Sequence, residues 1–273
     1  MKRGLFLLLL VMLVHADFLI ERVDVTIDDI GTDGSAKVRE SIKFVMFGDY
    51  SNSVYDSGIS QNDLSYWSSS TALKDVKLHI NAAKVDIRDL RIRPQPRTKC
   101  NPIQGICHGE LILDYIAYPS YSNQTMQPEP GTGIFTVSKY KPRTRRYTIN
   151  PAALAFTTTS EGNVILDDDV YLNINLPAEA VMLDINPQPS DLDLKLPARV
   201  DSLSWTDIVL VKFSLIFDVE DSIDKEVSDF FTGIFRSVGD AFGSPHGLPL
   251  AALVAVLIAS FIYITVAKRR GEE

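Results

Sequence analysis

This sequence is poor in the residues and motifs that usually mark an active site. Its 273 residues include two cysteines and four histidines, and the histidines (His15, His79, His108, His246) are far apart. It has no Gly-x-Ser-x-Gly, no His-Glu-x-x-His and no phosphate-binding glycine loop. The local signatures of a serine hydrolase, a zinc peptidase and a nucleotide enzyme are therefore missing. The expectation is of no catalytic set, no resident metal and no cofactor. Asp167-Asp168-Asp169, and Asp28-Asp29 with Asp33, offer oxygen ligands but lack EF-hand spacing. Asp is ordinary turn chemistry, so both stretches read as solvated turns.

Positive charge is also scarce. Lys and Arg total 27 against 35 Asp and Glu, a formal charge of −8. Setting aside residues 1–16 and 247–273 leaves 22 against 33, or about −11. Such a surface argues against nucleic acid, and against anionic lipid as the main partner.

Long apolar runs are confined to the two ends of the chain. Residues 250–267 are eighteen positions without a charge, followed at once by Lys268, Arg269 and Arg270. A helix of that length crosses most of a hydrocarbon core of about 30 Å, and 247–249 supply the rest. A transmembrane helix is predicted over 247–267, with a cytoplasmic tail at 268–273. At the start, Lys2 and Arg3 precede a ten-residue apolar run at 5–14, and Val14-His15-Ala16 offers a small-residue cleavage site. That plan predicts a secretory signal peptide at 1–16, an uncleaved anchor being the alternative. Lys268, Arg269 and Arg270 then form a membrane-side anchor in the cytoplasm, in keeping with the positive-inside rule. The expected localisation is the cell membrane: one span, the ectodomain outside and the short tail inside.

In an exported chain, Cys100 and Cys107 read as a disulfide closing a small loop, with Pro102 and Gly105 in its turn. A metal site would need more ligands than the nearby His108. Asn123-Gln124-Thr125 is the one Asn-x-Ser/Thr sequon, so Asn123 is a glycosylation candidate.

Between the ends, hydrophobicity alternates with period two. Val23, Val25 and Ile27 form one face, and after Asp33-Gly34 the series resumes with Ala36, Val38, Glu40, Ile42 and Phe44. That is a β-hairpin. Residues 48–75, rich in Ser, Asp, Tyr and Asn and carrying Trp67, read as a long loop with a little structure. Strands follow at 76–80, 84–93 and 110–118. After 119–133, a linker or long loop, they resume at 134–140, 145–149, 153–158, 164–166, 170–176, 181–185, 192–196 and 208–219. The predicted fold class is mainly β: one or two β-sandwich (Ig-like) ectodomains. Two would occupy 17–118 and 134–220. An amphipathic juxtamembrane helix is predicted within 221–246, with Phe230, Phe231, Ile234 and Phe235 on its apolar face.

Lys139, Lys141, Arg143, Arg145 and Arg146 make a basic run inside an acidic chain. It is a candidate anion or partner patch, or a solvated edge that discourages strand addition.

The stretch Val23-Asp-Val-Thr-Ile, Asp33-Gly-Ser and Val38-Arg-Glu-Ser-Ile-Lys-Phe44 resembles the first hairpin of uncharacterised prokaryotic membrane proteins, archaeal or bacterial. Those proteins pair an N-terminal β-rich exported domain with transmembrane helices. The resemblance covers some twenty residues, implies a cell-surface setting and carries no functional residue across.

The functional expectation is a membrane-anchored extracytoplasmic protein presenting a non-catalytic interaction surface, or an accessory subunit of a cell-surface membrane complex. Its partners would be the bilayer, through the C-terminal helix, and a protein or glycan outside the cell. The alternatives are a membrane-tethered envelope hydrolase and a carbohydrate-binding surface module. For the module, Tyr66, Trp67, Tyr118 and Tyr121 would be the stacking platforms. A deep pocket holding His79 or His108 beside a carboxylate would favour the hydrolase, and a flat surface with clustered aromatics the binder.

Overall fold

The computed structural model describes residues 16–122, 127–141 and 143–220. The predicted signal peptide, except for its last residue, lies outside these. So do Asn123, the juxtamembrane helix, the span at 247–267 and Lys268, Arg269 and Arg270. Among the described residues no helix is long and apolar enough to cross a membrane.

The described residues form one compact unit that is mainly β. Its strands are β1 (Asp17–Asp28), β2 (Ala36–Phe47), β3 (Asp86–Pro94), β4 (Thr98–Asn101), β5 (Ile106–Tyr118), β6 (Phe135–Lys141), β7 (Thr144–Ile149), β8 (Thr157–Thr158), β9 (Val164–Leu166), β10 (Val170–Asn175), β11 (Ala180–Asn186), β12 (Ala198–Arg199), β13 (Ser202–Trp205), β14 (Ile208–Leu210) and β15 (Ser214–Glu220). A seven-stranded sheet runs β13-β10-β1-β2-β5-β3, with β4 also on β5. A five-stranded sheet runs β12-β11-β15-β7-β6, and a small one β14-β9-β8. The parallel pairing of β1 with β10, Val23 beside Val170 through Ile27 beside Ile174, puts strands from both sides of the 119–133 segment in one sheet.

The predicted hairpin is there, with Val25 opposite Glu40 and Ile27 opposite Val38. Gly34 sits in its turn at a φ of +88°, and a Cβ there would stand 2.3 Å from the Phe135 carbonyl oxygen. Glycine is therefore required. The apolar face of the large sheet joins Phe135, Tyr147, Met182, Leu215 and Phe217 of the five-stranded sheet in one hydrophobic core. Tyr147 stacks on Phe217 at 4.9 Å, and Phe135 meets the same ring edge-on at 5.7 Å.

The expectation for 48–75 is corrected. The stretch is not a loop but two helices, α1 (Gly48–Gly58) and α2 (Leu64–Thr71). Its Ser- and Asn-rich composition has poor helix propensity, and tertiary packing overrides it. Asp63 caps α2 by accepting from the Ser65 N–H, while Tyr55 and Trp67 are fully buried with ring centroids 5.4 Å apart. A Cβ on Gly58 would lie 2.6 Å from the Trp67 ring, so the helices approach only because that residue is glycine.

Three strand expectations are corrected too. Residues 76–80 are irregular and end in a single bridge, Ile80 to Leu154. Residues 192–196 are not strand. The stretch at 208–219 breaks between β14 and β15, with Lys212 at a φ of +49°. Phe213, Leu215 and Phe217 face the core there, whereas Val209 and Val211 are exposed.

Glu40 occupies a core-facing position of β2 and is fully buried. Its Oε1 accepts the backbone N–H of His79 at 2.9 Å and the Tyr115 hydroxyl at 2.5 Å. Its Oε2 lies 2.8 Å from His79 Nδ1. Burial first, then the charge and hydrogen bond of Glu40, push the Tyr115 hydroxyl well above the ordinary tyrosine range. Replacing Glu40 with Leu orphans three buried polar groups and is expected to cost about 3–5 kcal/mol. Glu40→Gln keeps an acceptor for the N–H and the hydroxyl and should cost less than half of that. Urea unfolding of both variants checks this; equal losses would deny the network its role.

Candidate functional site

The second face of the large sheet is polar and carries a lattice of ion pairs. Arg39 and Arg93 both bond Asp114, Arg22 binds Asp24 at 2.5–2.8 Å and also lies 3.8 Å over the Tyr171 ring, and Lys43 sits 3.6 Å from Asp24. Into this face opens a groove of about 360 Å3.

Three local features build the groove. First, the register of β1 against β2 slips between Ile20 and Arg22, leaving Glu21 as the extra residue of a β-bulge. Glu21 thereby reaches His108 on β5, Oε2 to Nδ1 at 2.8 Å. Second, the ladder along the outer edge of β5 is interrupted: β3 ends opposite Leu111 and β4 begins opposite His108. Tyr55 fills the gap from the core side. Its hydroxyl accepts the Glu110 N–H at 3.3 Å and bonds the Gln95 carbonyl, and burial pushes its pKa up to about 12. Third, the Cys100–Cys107 disulfide, formed as expected, ties β4 to β5 and so fixes the wall carrying Thr98 and Lys99. Asn52 and Gly48 of α1 brace the same loop through the Gly105 carbonyl.

The groove presents Arg22, Lys43, Lys99 and His108 together with Glu21 and Glu110. Glu110 already accepts the Ser41 hydroxyl at 2.5 Å. Charges of both signs, partly exposed and held by neighbours, suit a polar ligand bearing complementary donors and acceptors. Sequence reasoning named His108 but missed the groove around it, because neither the bulge at Glu21 nor the ladder gap leaves a composition signal.

His79 lines a second, smaller cavity of about 110 Å3 with Phe156, Asp75, Lys77, Asp167 and Asp169. Burial, then the nearby carboxylates of Asp168, Asp167 and Asp75, raise the pKa of Asp169. Among the described residues no group of three or more His, Cys, Asp or Glu is arranged to hold a metal ion. Each histidine thus has a carboxylate beside it, but among the described residues neither imidazole hydrogen-bonds a hydroxyl or a thiol.

The basic run divides between the two faces of the β6–β7 hairpin. Lys139 stands opposite Arg145 and Lys141 opposite Thr144. Arg146 is instead bound by Asp218 at 2.8 and 2.9 Å. The proposed stacking platforms do not form one surface, which is a correction. Trp67 is fully buried with its Nε1–H donated to the Gln61 carbonyl, Tyr118 lies under Arg88, and the Tyr121 hydroxyl is committed to Asp33. Trp67 is turned inward by α2, which packs its ring against Tyr55.

No family model matches this chain, and no curated protein matches it. Among solved structures, leukotriene A4 hydrolase from Saccharomyces cerevisiae is similar with a TM-score of 0.29 at 10% identity, covering 74% of this chain. This chain spans 29% of that protein's length. The folded domain of LppM from Mycobacterium tuberculosis gives a TM-score of 0.23 at 10% identity, covering 77% of this chain and 93% of that domain. Likeness at this level carries neither fold nor activity across.

The ion-pair lattice makes a pH prediction. Burial opposes ionisation of Asp114, but hydrogen bonds from Arg39 and Arg93 outweigh it and hold the carboxyl below the ordinary aspartate value of 3.8. A depressed pKa stabilises the fold above the ordinary value and ceases to do so as pH falls through the folded one. Asp114→Asn should therefore lower Tm at neutral pH and flatten its fall below about pH 4. Parallel melting curves for the two proteins would refute this.

Proposed function

We propose that this chain is a membrane-anchored, extracytoplasmic protein that holds a polar partner at the cell surface and performs no catalysis. In this reading the two larger sheets are the layers of one β-sandwich, exported behind the residue 1–16 signal and tethered by the helix at 247–267. The disulfide supports an oxidising, exported setting. The observation that carries the binding role is the groove on the solvent face of the large sheet, where a bulge aims Glu21 and a disulfide fixes Lys99. A feature that re-aims one side chain, beside a covalently braced wall, is the form that prepared binding surfaces take.

The partner that fits is a protein or peptide surface bearing charges of both signs. Glu21 and Glu110 would receive its donors, and Lys43 and Lys99 its carboxylates. The hydrolase alternative has less support: the carboxylate beside His79 is committed to three hydrogen bonds, and a nucleophile in contact with either imidazole is not seen among the described residues.

The test is co-purification of the full chain from mild detergent. Glu21→Lys with Lys99→Glu inverts the groove's charges without touching the core. Asp191→Lys, on an exposed loop away from the groove, is the control. The proposal expects the double variant to lose its co-purifying protein and the control to keep it. Retention by both would remove the groove from consideration.

A further inference from the structure

The cavity beside His79 collects more hydrogen-bond acceptors than its own donors can meet. It lies where the β1 bulge disturbs the core face of the large sheet. Ile20 stands opposite Phe44 and Val23 opposite Ile42, so successive core-facing positions of β1 are three residues apart there rather than two. Both line the cavity. The turn between β9 and β10 is held against β1 by the Asp169 carbonyl, which accepts the Val23 N–H at 2.8 Å, and it brings Asp167 and Asp169 to the same opening.

His79 is the acceptor at the floor. The residue is only 2% exposed, and its Nδ1 is taken up by Glu40 Oε2 at 2.8 Å. Glu40 already receives the Tyr115 hydroxyl and the His79 N–H on Oε1, so it acts throughout as an acceptor, and Nδ1 carries the hydrogen. In the neutral ring Nε2 is then left with a free lone pair. That nitrogen has no hydrogen-bond partner among the described residues and yet is not sealed from solvent. The opening beside it is the cavity. A buried imidazole held this firmly at one nitrogen presents the other in a fixed direction.

Charge in the cavity has one sign in excess. Asp75, Asp167 and Asp169 face a single cation, Lys77, whose ammonium lies 4.0 Å from Asp75. Neither Asp167 nor Asp169 has a cationic partner among the described residues. Burial raises the pKa of Asp169, and the carboxylates of Asp168, Asp167 and Asp75 add to that rise, so a cation placed here would relieve a repulsion that the fold leaves standing. The rest of the wall is apolar, and the Phe156 ring stands 5.3 Å from the imidazole. The volume of about 110 Å3 is well above the roughly 15 Å3 that one water needs.

We propose that this cavity binds an alkylammonium group, with His79 Nε2, Asp167 and Asp169 accepting its three N–H donors. The face of Phe156 offers a cation–π contact, and Ile20, Ile165 and Val170 would take the methylenes. Primary amines are charged at neutral pH, as lysine is. A metal ion fits less well, because among the described residues no three ligands are arranged to hold one. Two sources carry the required chemistry, a free small amine and the lysine side chain of a protein partner.

The test is nitrogen NMR of the full chain in mild detergent, with 15N-labelled histidine assigned by removing His15, His108 and His246 in turn. Titration with n-butylammonium chloride should shift the His79 Nε2 signal saturably and leave His108 unmoved. Tetramethylammonium, which has no N–H to donate, should bind at least about tenfold more weakly. Asp167→Asn with Asp169→Asn should weaken butylammonium binding by about tenfold or more while Tm holds or rises, which separates a lost site from a lost fold. The peptide acetyl-Gly-Lys-Gly-amide distinguishes the sources: a response equal to that of butylammonium assigns the site to a partner's lysine, and a response to butylammonium alone assigns it to a free amine. No shift with either amine would overturn the proposal and leave Nε2 to water. An equal response to tetramethylammonium would overturn it too, as surface charge only. A shift with calcium chloride but with neither amine would make the occupant a metal ion and overturn it as well.

Discussion

The buried carboxylate of Glu40 is the constraint around which this domain is arranged. A carboxylate moved from water into a core costs several kcal/mol unless its lone pairs are taken up. Here they are taken up by the backbone and ring of His79 and by the Tyr115 hydroxyl. His79 belongs to a segment without regular structure, so the network does what a strand ladder does elsewhere: it pins residues 72–85 against the sheet. From there the constraint spreads. The His79 carbonyl accepts the Ala155 N–H at 2.7 Å, Asn81 bonds the Ala153 carbonyl at 2.8 Å, and Phe156 lies 5.3 Å from the imidazole. One charged side chain thus sets the course of two connecting segments that apolar packing alone would leave free to slide.

The same strands that bury Glu40 on one side build the groove on the other. β2 carries Glu40 inward and Lys43 outward, and β5 carries Tyr115 inward and His108 outward. Tyr55 joins the two faces, since its ring packs in the core while its hydroxyl closes the ladder gap that opens the groove. A rigid core behind a polar, partly open face is the arrangement that lets surface charges hold fixed positions.

Much of this was legible in period-two alternation. Alternation placed Glu40 on the core face with Val38 and Ile42 even though it is charged, and the structure puts it there. The disulfide followed from spacing and compartment. What alternation could not show was long-range pairing. Nothing near Val23 or Val170 announces that β1 and β10 run side by side, because a parallel partner is chosen by the whole sheet. Nor could it reveal α1 and α2, whose helicity depends on burying Tyr55 and Trp67 rather than on propensity. At 208–219 the pattern was real but continuous, and the left-handed Lys212 that splits it is a single-residue event. The candidate site was harder still, since a bulge and a ladder gap are relations between strands. The Cys100–Cys107 pair and the cations of the β6–β7 hairpin were visible in advance.

On the proposed reading, the protein meets its partner at the solvent face of the large sheet. Photo-crosslinking in intact cells addresses it most directly, with a photoreactive amino acid at Thr98 in the groove wall or at Val211, exposed on a turn away from the groove. A discrete higher-mass adduct is expected from position 98, abolished by Glu21→Lys with Lys99→Glu, and none from position 211. An adduct from 211 with none from 98 would contradict it.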